Sequence, residues 1–267
     1  MDDAAFRTRY GSWALVAGAS QGLGAEYATQ LAARGLNVVL VARQADRLQA
    51  LSEQLATTYR VQVRVLPIDL AAPDAAALIA EHTRDLEIGL LIYNAAYSVI
   101  GPALDQPLEQ HLRELDVNTR TPLELVYHLG QPMRARKRGG LILMSSVGGS
   151  FGTAYIANYA ATKAYLQILG DGLWDELRTE GVDVLACCAG MILTPTLLAS
   201  QPKRSRFDSF ADMTPDQVAR ETLQTLGQQP SWVPGWRSRW AAFLMRRVLP
   251  RRSAIQMMGQ TVRKMYS

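Results

Sequence analysis

Residues 13–24 read WALVAGASQGLG, an apolar run followed by a turn that contains three glycines. The run predicts a buried strand, and the amphipathic stretch after it predicts a helix over residues 22–34. Glycines at this point permit a tight turn whose backbone N–H groups face a phosphate, and the helix N-terminus adds partial positive charge. An ordinary glycine-rich turn without a ligand is the alternative. The candidate dinucleotide-binding residues of this turn are Gly18, Ser20, Gln21, Gly22, Leu23 and Gly24.

Five further apolar runs repeat this pattern of a strand followed by a helix. Most runs are continuously apolar, which is typical of parallel strands covered by helices on both faces. This alternation predicts one doubly wound, Rossmann-like α/β domain over residues 1–267, with a parallel sheet of about seven strands flanked by helices on both faces. Strands are predicted at 13–17, 37–41, 61–66, 88–93, 140–145 and 182–187, and helices at 22–34, 45–58, 73–84, 107–137, 153–180 and 214–226.

A tyrosine and a lysine lie one helical turn apart in the predicted helix at 153–180. Tyr159 and Lys163 therefore point to the same face of that helix, although this spacing alone is common by chance. Ser146 ends the predicted fifth strand, thirteen residues before Tyr159, and Asn118 lies further upstream. An ammonium beside a phenol stabilises the phenolate, so we expect Lys163 to lower the pKa of Tyr159 from its usual value near 10. These side chains form a candidate acid/base site.

The glycine turn and the Ser146, Tyr159 and Lys163 set resemble the classical short-chain dehydrogenase/reductase family. The resemblance implies that Tyr159 is the catalytic acid/base and that Lys163 also binds the nicotinamide ribose. It further implies that Ser146 hydrogen-bonds the substrate oxygen. Asn118 matches the fourth catalytic position of the family, where it would hold a water linked to Lys163.

Other positions match the family less completely. Asn94 and Ala95 follow the fourth strand, where the family has Asn-Ala-Gly, and they are candidate cofactor contacts. Thr194 follows the sixth strand, where the resemblance implies a contact to the nicotinamide or phosphate region; a helix cap before Pro195 is the alternative. Ala17 stands where the family often has threonine.

The end of the second predicted strand bears on the choice of cofactor. Enzymes that prefer NAD place an acidic residue there on the adenosine ribose, but this chain has Ala42 followed by Arg43. A guanidinium can bind a 2′-phosphate through two hydrogen bonds, so NADP(H) is favoured and NAD(H) is possible. Arg43 as a solvated helix start is the alternative. Asp69, with Leu70, matches the adenine-contacting position of the family, and a turn role for Asp69 is compatible with it.

Composition excludes several other classes of protein. The two cysteines, Cys187 and Cys188, are adjacent and have no third cysteine to pair with, so a disulfide framework is not expected. The three histidines lack ligand spacing, and no metal site is predicted. The N-terminus is acidic without an apolar signal segment, and no run reaches the ~18 apolar residues that span a bilayer. A cytoplasmic protein is expected.

The end of the chain is basic and rich in tryptophan. Residues 231–267 contain seven arginines, one lysine and no acidic residue, a formal charge of +8. This extension either packs on the domain or on a second subunit with its arginines in water, or forms a cationic, aromatic segment that touches a membrane or covers a hydrophobic substrate pocket. Nucleic-acid binding is not expected, because no recognised module surrounds these charges. The polar region 195–213 is a candidate substrate loop or lid.

The leading hypothesis is an NADP(H)-dependent oxidoreductase that interconverts a carbonyl and a secondary alcohol on a hydrophobic small molecule. Two alternatives belong to other classes: a non-catalytic nucleotide-binding sensor or scaffold, and a membrane-docking protein that acts through its basic extension. The intact set of Ser146, Tyr159, Lys163 and Asn118 disfavours the sensor. Family resemblance also implies a homodimer or homotetramer.

Overall fold

The computed structural model describes residues 1–194 and 212–266. Within these residues a seven-stranded parallel sheet has the order β3-β2-β1-β4-β5-β6-β7. The strands are β1 (Trp13–Ala17), β2 (Asn37–Ala42), β3 (Val63–Pro67), β4 (Ile88–Tyr93), β5 (Gly139–Ser146), β6 (Val182–Ala189) and β7 (Ser231–Trp232).

The described residues also form ten α-helices, most of which alternate with the strands. They are α1 (Asp3–Tyr10), α2 (Gly22–Ala33), α3 (Ala45–Tyr59), α4 (Ala75–His82), α5 (Leu108–Leu115), α6 (Thr121–Ala135), α7 (Ala157–Arg178), α8 (Pro215–Thr225), α9 (Trp236–Arg247) and α10 (Arg251–Tyr266).

The helices cover both faces of the sheet. On one face, apolar side chains of α2, α3 and α8 pack against the strands, among them Tyr27, Leu48 and Val218. On the other face α4, α6 and α7 do the same, through residues such as Ile79 and Leu129. Because both faces are covered, β1 and β4 are buried along their whole length. The predicted doubly wound, Rossmann-like fold is confirmed.

The order of the strands reverses at β1, which lies between β2 and β4. The chain leaves the carboxyl ends of β1 and β4 in opposite directions, and this opens a crevice at that edge of the sheet. In doubly wound sheets a ligand binds in such a crevice. The glycine-rich turn follows β1, so the fold puts the predicted phosphate turn at this position.

The single helix predicted at 107–137 is instead three pieces. α5 is followed by one π-helical turn, Asp116–Arg120, and then by α6. The Thr121 N–H bonds to the carbonyl of Asp116, five residues earlier. Pro122 has no N–H to continue the regular ladder, which accounts for a break at this point. π-Helical turns of this kind occur frequently at functional sites, and this one contains Asn118.

Other expectations differ from the structure at the two ends of the chain. Helix α1 was not predicted, and the extension beyond residue 231 forms β7, α9 and α10. Residues 195–211 of the candidate lid lie outside the described residues. None of the helices in the described part of the chain combines the length and the apolar character needed to cross a bilayer.

Candidate active site

The turn after β1 packs too closely for side chains at two of its glycines. A Cβ on Gly24 would lie 1.9 Å from the carbonyl oxygen of Gly18, and a Cβ on Gly18 would lie 2.7 Å from the backbone nitrogen of Ala95. Gly18 and Gly22 also have positive φ angles of 84° and 58°, which other residues adopt only with strain. The absence of side chains leaves the backbone of the turn accessible to a ligand.

The loop after β4 holds this turn in place. Asn94 donates a hydrogen bond from Nδ2 to the Gly18 carbonyl over 3.1 Å, and its backbone N–H bonds to Ala17. Helix α2 begins at Gly22, and the side chain of its N-cap residue, Gln21, makes no capping bond to the first turn. A helix start of this kind suits a pyrophosphate, because its first N–H groups lack partners within the helix. Ser20 is half-buried and Leu23 is buried.

Arg43 and Asp69 lie at the neighbouring ends of β2 and β3. Arg43 is exposed. Asp69 accepts the Ala71 N–H over 3.1 Å and pairs with the Arg113 guanidinium over 2.7 Å. Burial opposes ionisation of Asp69, but these two hydrogen bonds and the charges of Arg113 and Arg43 lower its pKa on balance. Asp69 therefore makes the expected turn, and its charge lies close to Arg43. Leu70 is buried, and its carbonyl accepts the Thr121 hydroxyl.

Ser146, Tyr159 and Lys163 meet where β5 ends beside the first turns of α7. The Lys163 ammonium donates to the Met144 carbonyl over 2.7 Å and lies 5.5 Å from the centre of the Tyr159 ring. The Ser146 hydroxyl accepts the Gly148 N–H over 3.1 Å. Ser145 donates its hydroxyl to the Lys163 carbonyl over 2.6 Å. That bond fixes α7 against β5, which is how the fold brings these residues together.

Burial controls the protonation of the two titrating side chains. It raises the pKa of Tyr159 to about 12, and the negative charges of Glu114 and of ionised Tyr266 act in the same direction. Burial also lowers the pKa of Lys163 to about 8, against the effects of Cys187 and Glu114. The expected lowering of the Tyr159 pKa is therefore wrong for this structure, because the loss of solvent, with the charges of Glu114 and Tyr266, raises that pKa. Tyr159 carries its proton at neutral pH.

Asn118 is buried in the π-helical turn, and both atoms of its amide bond to protein groups. Its Oδ1 accepts the Tyr97 N–H over 2.9 Å, and its Nδ2 donates to the Tyr97 carbonyl and to the Thr162 hydroxyl. The side chain ties the loop after β4 to α7, through Thr162, the residue before Lys163. That this position also holds a water linked to Lys163 stays a prediction.

Thr194 lies at the edge of the crevice. It is half-buried, and its backbone N–H bonds to the Ile192 carbonyl over 2.8 Å. Ile192 in turn forms a parallel bridge with Met213. This local turn precedes Pro195, the first of the residues that the structure leaves out. Thr194 thus belongs to the segment that leaves β6 at the same edge of the sheet as the glycine turn.

The last helix, α10, lies beside residues 154–159, the candidate catalytic segment. Packing of the basic extension on the domain is one of the alternatives that the sequence left open. Gly259 of α10 faces Ala154, where an added Cβ would lie 3.2 Å away. The Arg263 guanidinium lies 6.0 Å from the Tyr155 ring centre, and α10 buries Ala254, Val262 and Met265. The sequence pattern does not predict that α10 contacts residues 154 and 155, because this contact depends on the turn between α9 and α10.

A comparison with protein families identifies this arrangement. The family model for short chain dehydrogenase matches residues 12–205. The chain belongs to the short-chain dehydrogenase family. It is therefore an oxidoreductase of the class that acts on CH–OH and C=O groups, and the predicted resemblance is confirmed.

Several short-chain dehydrogenases match over most of the chain. A 7beta-hydroxysteroid dehydrogenase of Mediterraneibacter gnavus is 32% identical over 235 residues, which are 87% of this chain and 89% of the relative. A solved 7beta-hydroxysteroid dehydrogenase structure is 30% identical, has a TM-score of 0.90, and the match covers 95% of this chain and 98% of that one. A Sphingobium yanoikuyae short-chain dehydrogenase in complex with NADPH is 29% identical with a TM-score of 0.75, over 86% and 91% of the two chains.

Proposed function

We propose that this short-chain dehydrogenase is an NADP(H)-dependent enzyme that interconverts a ketone and a secondary alcohol on a bulky, lipophilic substrate. The observation that carries the proposal is the meeting of Ser146, Tyr159 and Lys163 at the end of β5, on the edge of the sheet that holds the glycine turn. A non-catalytic sensor would need the turn but not this set of side chains, so the sensor is the weaker candidate.

The proton transfer follows from the state of Tyr159. Its raised pKa keeps the phenol protonated at neutral pH, so in the reduction direction it acts as the acid. Ser146 accepts from Gly148, which leaves its own proton for the substrate carbonyl oxygen. A bound nicotinamide dinucleotide supplies the hydride for the carbonyl carbon. As charge develops on the substrate oxygen, Tyr159 gives it a proton, and the carbonyl becomes an alcohol.

Lys163 and Asn118 support that transfer. An ammonium has three donors, and Lys163 uses one of them on Met144; the others are proposed for the cofactor ribose. Its charge offsets the phenolate that forms on Tyr159. Asn118 is proposed as a structural member of the site, since it holds Thr162 and thereby the turn of α7 that carries Lys163.

The residues of the crevice fit a dinucleotide. The accessible backbone at Gly18, Gly22 and Gly24 suits the pyrophosphate, and exposed Arg43 suits a 2′-phosphate, which favours NADP(H) over NAD(H). The NADPH complex of the Sphingobium relative supports this choice. The remaining proposed contacts, drawn from family resemblance, are Ser20, Gln21, Leu23, Asp69, Leu70, Asn94, Ala95, Tyr159, Lys163 and Thr194.

The substrate class is proposed from the relatives and from the surroundings of the site. The Mediterraneibacter relative is a hydroxysteroid dehydrogenase. In this chain the catalytic segment is bordered by α10, which brings Val262 and Met265 into the buried interior and Tyr266 near Tyr159. A fused-ring alcohol or ketone of steroid size matches such an apolar border better than a sugar or a small alcohol.

Two surface contacts are proposed in addition. The first is a homo-oligomer through an apolar face on α5, α6 and α7, which exposes Leu112, Leu115, Leu123, Tyr127, Tyr165 and Ile168. The second is peripheral contact with an anionic membrane through α9. Trp236, Trp240, Phe243 and Leu244 lie on one exposed face of that helix, among basic residues.

A substrate panel tests the proposed activity. Purified enzyme is incubated with NADPH and one ketone at a time. The panel contains steroid ketones with the carbonyl at different ring positions, bulky aryl ketones, small aliphatic ketones and keto-sugars. Bulky ketones are expected to give the highest kcat/KM, with a secondary alcohol as product. Equal or higher kcat/KM for the small or sugar ketones contradicts the substrate class. No turnover of any ketone contradicts the enzymatic function.

A further inference from the structure

Asn118 has a counterpart four residues earlier on the same side of the helix. Asn118 holds Tyr97 of the loop after β4 and Thr162 of α7. Glu114 does the same one turn away: its Oε1 accepts the Val99 N–H over 3.1 Å, and its Oε2 accepts Nδ2 of Asn158 over 2.6 Å.

The two sets of contacts repeat with matching spacing. Glu114 and Asn118 are four residues apart, as are their partners Asn158 and Thr162 on α7. Their partners in the loop after β4, Tyr97 and Val99, are two apart, which is the period of an extended segment. Asn158 immediately precedes Tyr159, just as Thr162 precedes Lys163. Each member of the catalytic tyrosine–lysine pair thus has a neighbour held by one of these two side chains.

We propose that Glu114 is a positioning residue for the reaction, which fixes Tyr159 through Asn158 and puts a buried carboxylate beside the Tyr159 and Lys163 pair. The proposal rests on the proposed function of Tyr159. Glu114 lies outside the Ser146, Tyr159 and Lys163 set. Its side chain has two separable effects: a brace, meaning its hydrogen bonds to Val99 and Asn158, and the charge of its carboxylate.

The hydrogen bonds explain why the side chain is acidic. Both partners of Glu114, the Val99 N–H and the Asn158 amide NH₂, are donors. A carboxylate accepts on both of its oxygens, whereas a glutamine would present one donor of its own to these groups. The Glu114 side chain is fully buried, and burying a charge without partners is costly. Its two donors therefore offset part of the loss of solvent, although burial still raises its pKa on balance.

The surrounding charges set the sign of its effect. Burial raises the pKa of Glu114, while Val99, Asn158 and His111 act in the opposite direction; His111 Nδ1 lies 3.9 Å from Oε2. Glu114 adds to the raised pKa of Tyr159, as does ionised Tyr266 of α10. It also opposes the lowering of the Lys163 pKa, as does Cys187 of β6. Removal of its charge should lower both pKa values.

The test is the pH dependence of ketone reduction by Glu114→Gln, with Glu109→Gln as the matched control. Glu109 is an exposed acid in the first turn of the same helix. Reduction needs protonated Tyr159 and protonated Lys163, so the rate falls on the alkaline side. In Glu114→Gln this fall is expected to move to lower pH by about half a unit or more, with kcat reduced about tenfold. Glu109→Gln should match the wild type.

A second variant separates the brace from the charge. Glu114→Ala removes both and is expected to lose about tenfold to a hundredfold in kcat, with the same direction of pH shift. Circular dichroism and thermal melting verify that each variant folds; if Glu114→Ala does not fold, Glu114→Gln alone decides. A lower kcat with an unshifted profile in Glu114→Gln overturns the charge effect, and an unchanged kcat overturns the brace. If the wild type reduces ketones, either of these negative results overturns only the role of Glu114 and leaves the proposed function intact. If the wild type is inactive, the proposed function and the role of Glu114 are both overturned.

Discussion

Burial decides how Tyr159 and Lys163 titrate. Lys163 is only 2% exposed, and the Met144 carbonyl is the one neutral acceptor that its ammonium has among the described contacts. Sequence spacing predicted that Tyr159 and Lys163 share a face, because i and i+4 positions on a helix always do. It gave the wrong direction for the Tyr159 pKa and none for the Lys163 pKa, since both shifts depend on how deeply α7 packs against β5 and β6.

The lowered pKa of Lys163 has a consequence for the pH dependence of activity. With a pKa of about 8, Lys163 is charged below that pH and becomes neutral above it, while Tyr159 stays protonated. The rate of ketone reduction should therefore be steady from about pH 6 to 7 and fall through about pH 8. Initial rates with NADPH across this range measure it, under conditions where the cofactor is saturating. A constant rate up to pH 10 would contradict the assigned role of Lys163.

Arg43 is the residue proposed to bind the 2′-phosphate of NADP(H). Arg43→Ala should weaken NADPH binding about tenfold to a hundredfold, the effect of a lost charge-assisted hydrogen bond, and leave NADH binding nearly unchanged. Fluorescence titration of each cofactor measures the two Kd values. Arg84→Ala is the control, because Arg84 is also exposed but precedes β4, at the opposite edge of the sheet. Equal losses for NADPH and NADH would refute the contact to the 2′-phosphate.

At the scale of elements, the sheet and its helices follow from continuous apolar runs and their alternation. The π-helical turn at Asp116–Arg120 illustrates what did not follow. Its sequence has ordinary helical periodicity. Pro122 indicates a break in the helix, but it does not indicate that the turn before it contains one residue more than an α-helical turn. That extra residue helps to direct both Asn118 and Glu114 towards α7 and the loop after β4, so the contacts of these side chains could not be read from spacing alone.

The turn between β1 and α2 should not tolerate an added methyl group at Gly24. Gly24→Ala would put a Cβ 1.9 Å from the Gly18 carbonyl oxygen, so the turn must move and lose its fit to a pyrophosphate. We expect NADPH binding to be lost, as measured by fluorescence titration. Gly130→Ala in α6 meets nothing within 4 Å and should bind NADPH normally, with a stability gain of about 0.5–1 kcal/mol. Normal NADPH binding by Gly24→Ala would refute the proposal that this turn binds the pyrophosphate.

At the scale of the whole molecule, the basic extension serves two sides. α10 buries one face beside the candidate catalytic segment, which agrees with the alternative that the extension packs on the domain. α9 instead leaves its aromatic face exposed. Composition predicted the charge of the extension but not that one helix is buried and the other exposed. The directions of the two helices depend on the turns that precede them, such as the one at Pro234 and Gly235 between β7 and α9. Two copies of a segment with a charge of +8 would repel each other, which favours an anionic partner for this face.

The membrane proposal predicts a specific dependence on lipid charge. Full-length protein should sediment with vesicles that contain phosphatidylserine, less with pure phosphatidylcholine, and less in high salt. Trp240→Ala should weaken the binding to anionic vesicles, whereas Leu104→Ala should not. Leu104 is 99% exposed, but residues 100–108 include no Lys or Arg. Binding that is equal for both variants, or that is absent in the wild type, would remove the membrane contact.

The central claim is that Tyr159 protonates a carbonyl that receives hydride from NADPH. The most direct measurement uses NADPH with deuterium at both C4 positions of the nicotinamide, a steroid ketone identified by the substrate panel, and mass spectrometry of the product. The wild type should yield an alcohol with one deuterium on the carbinol carbon, and Tyr159→Phe, which keeps the ring but has no proton to give, should slow its formation by about a hundredfold or more. Deuterium transfer at equal rates in the two proteins would contradict the account.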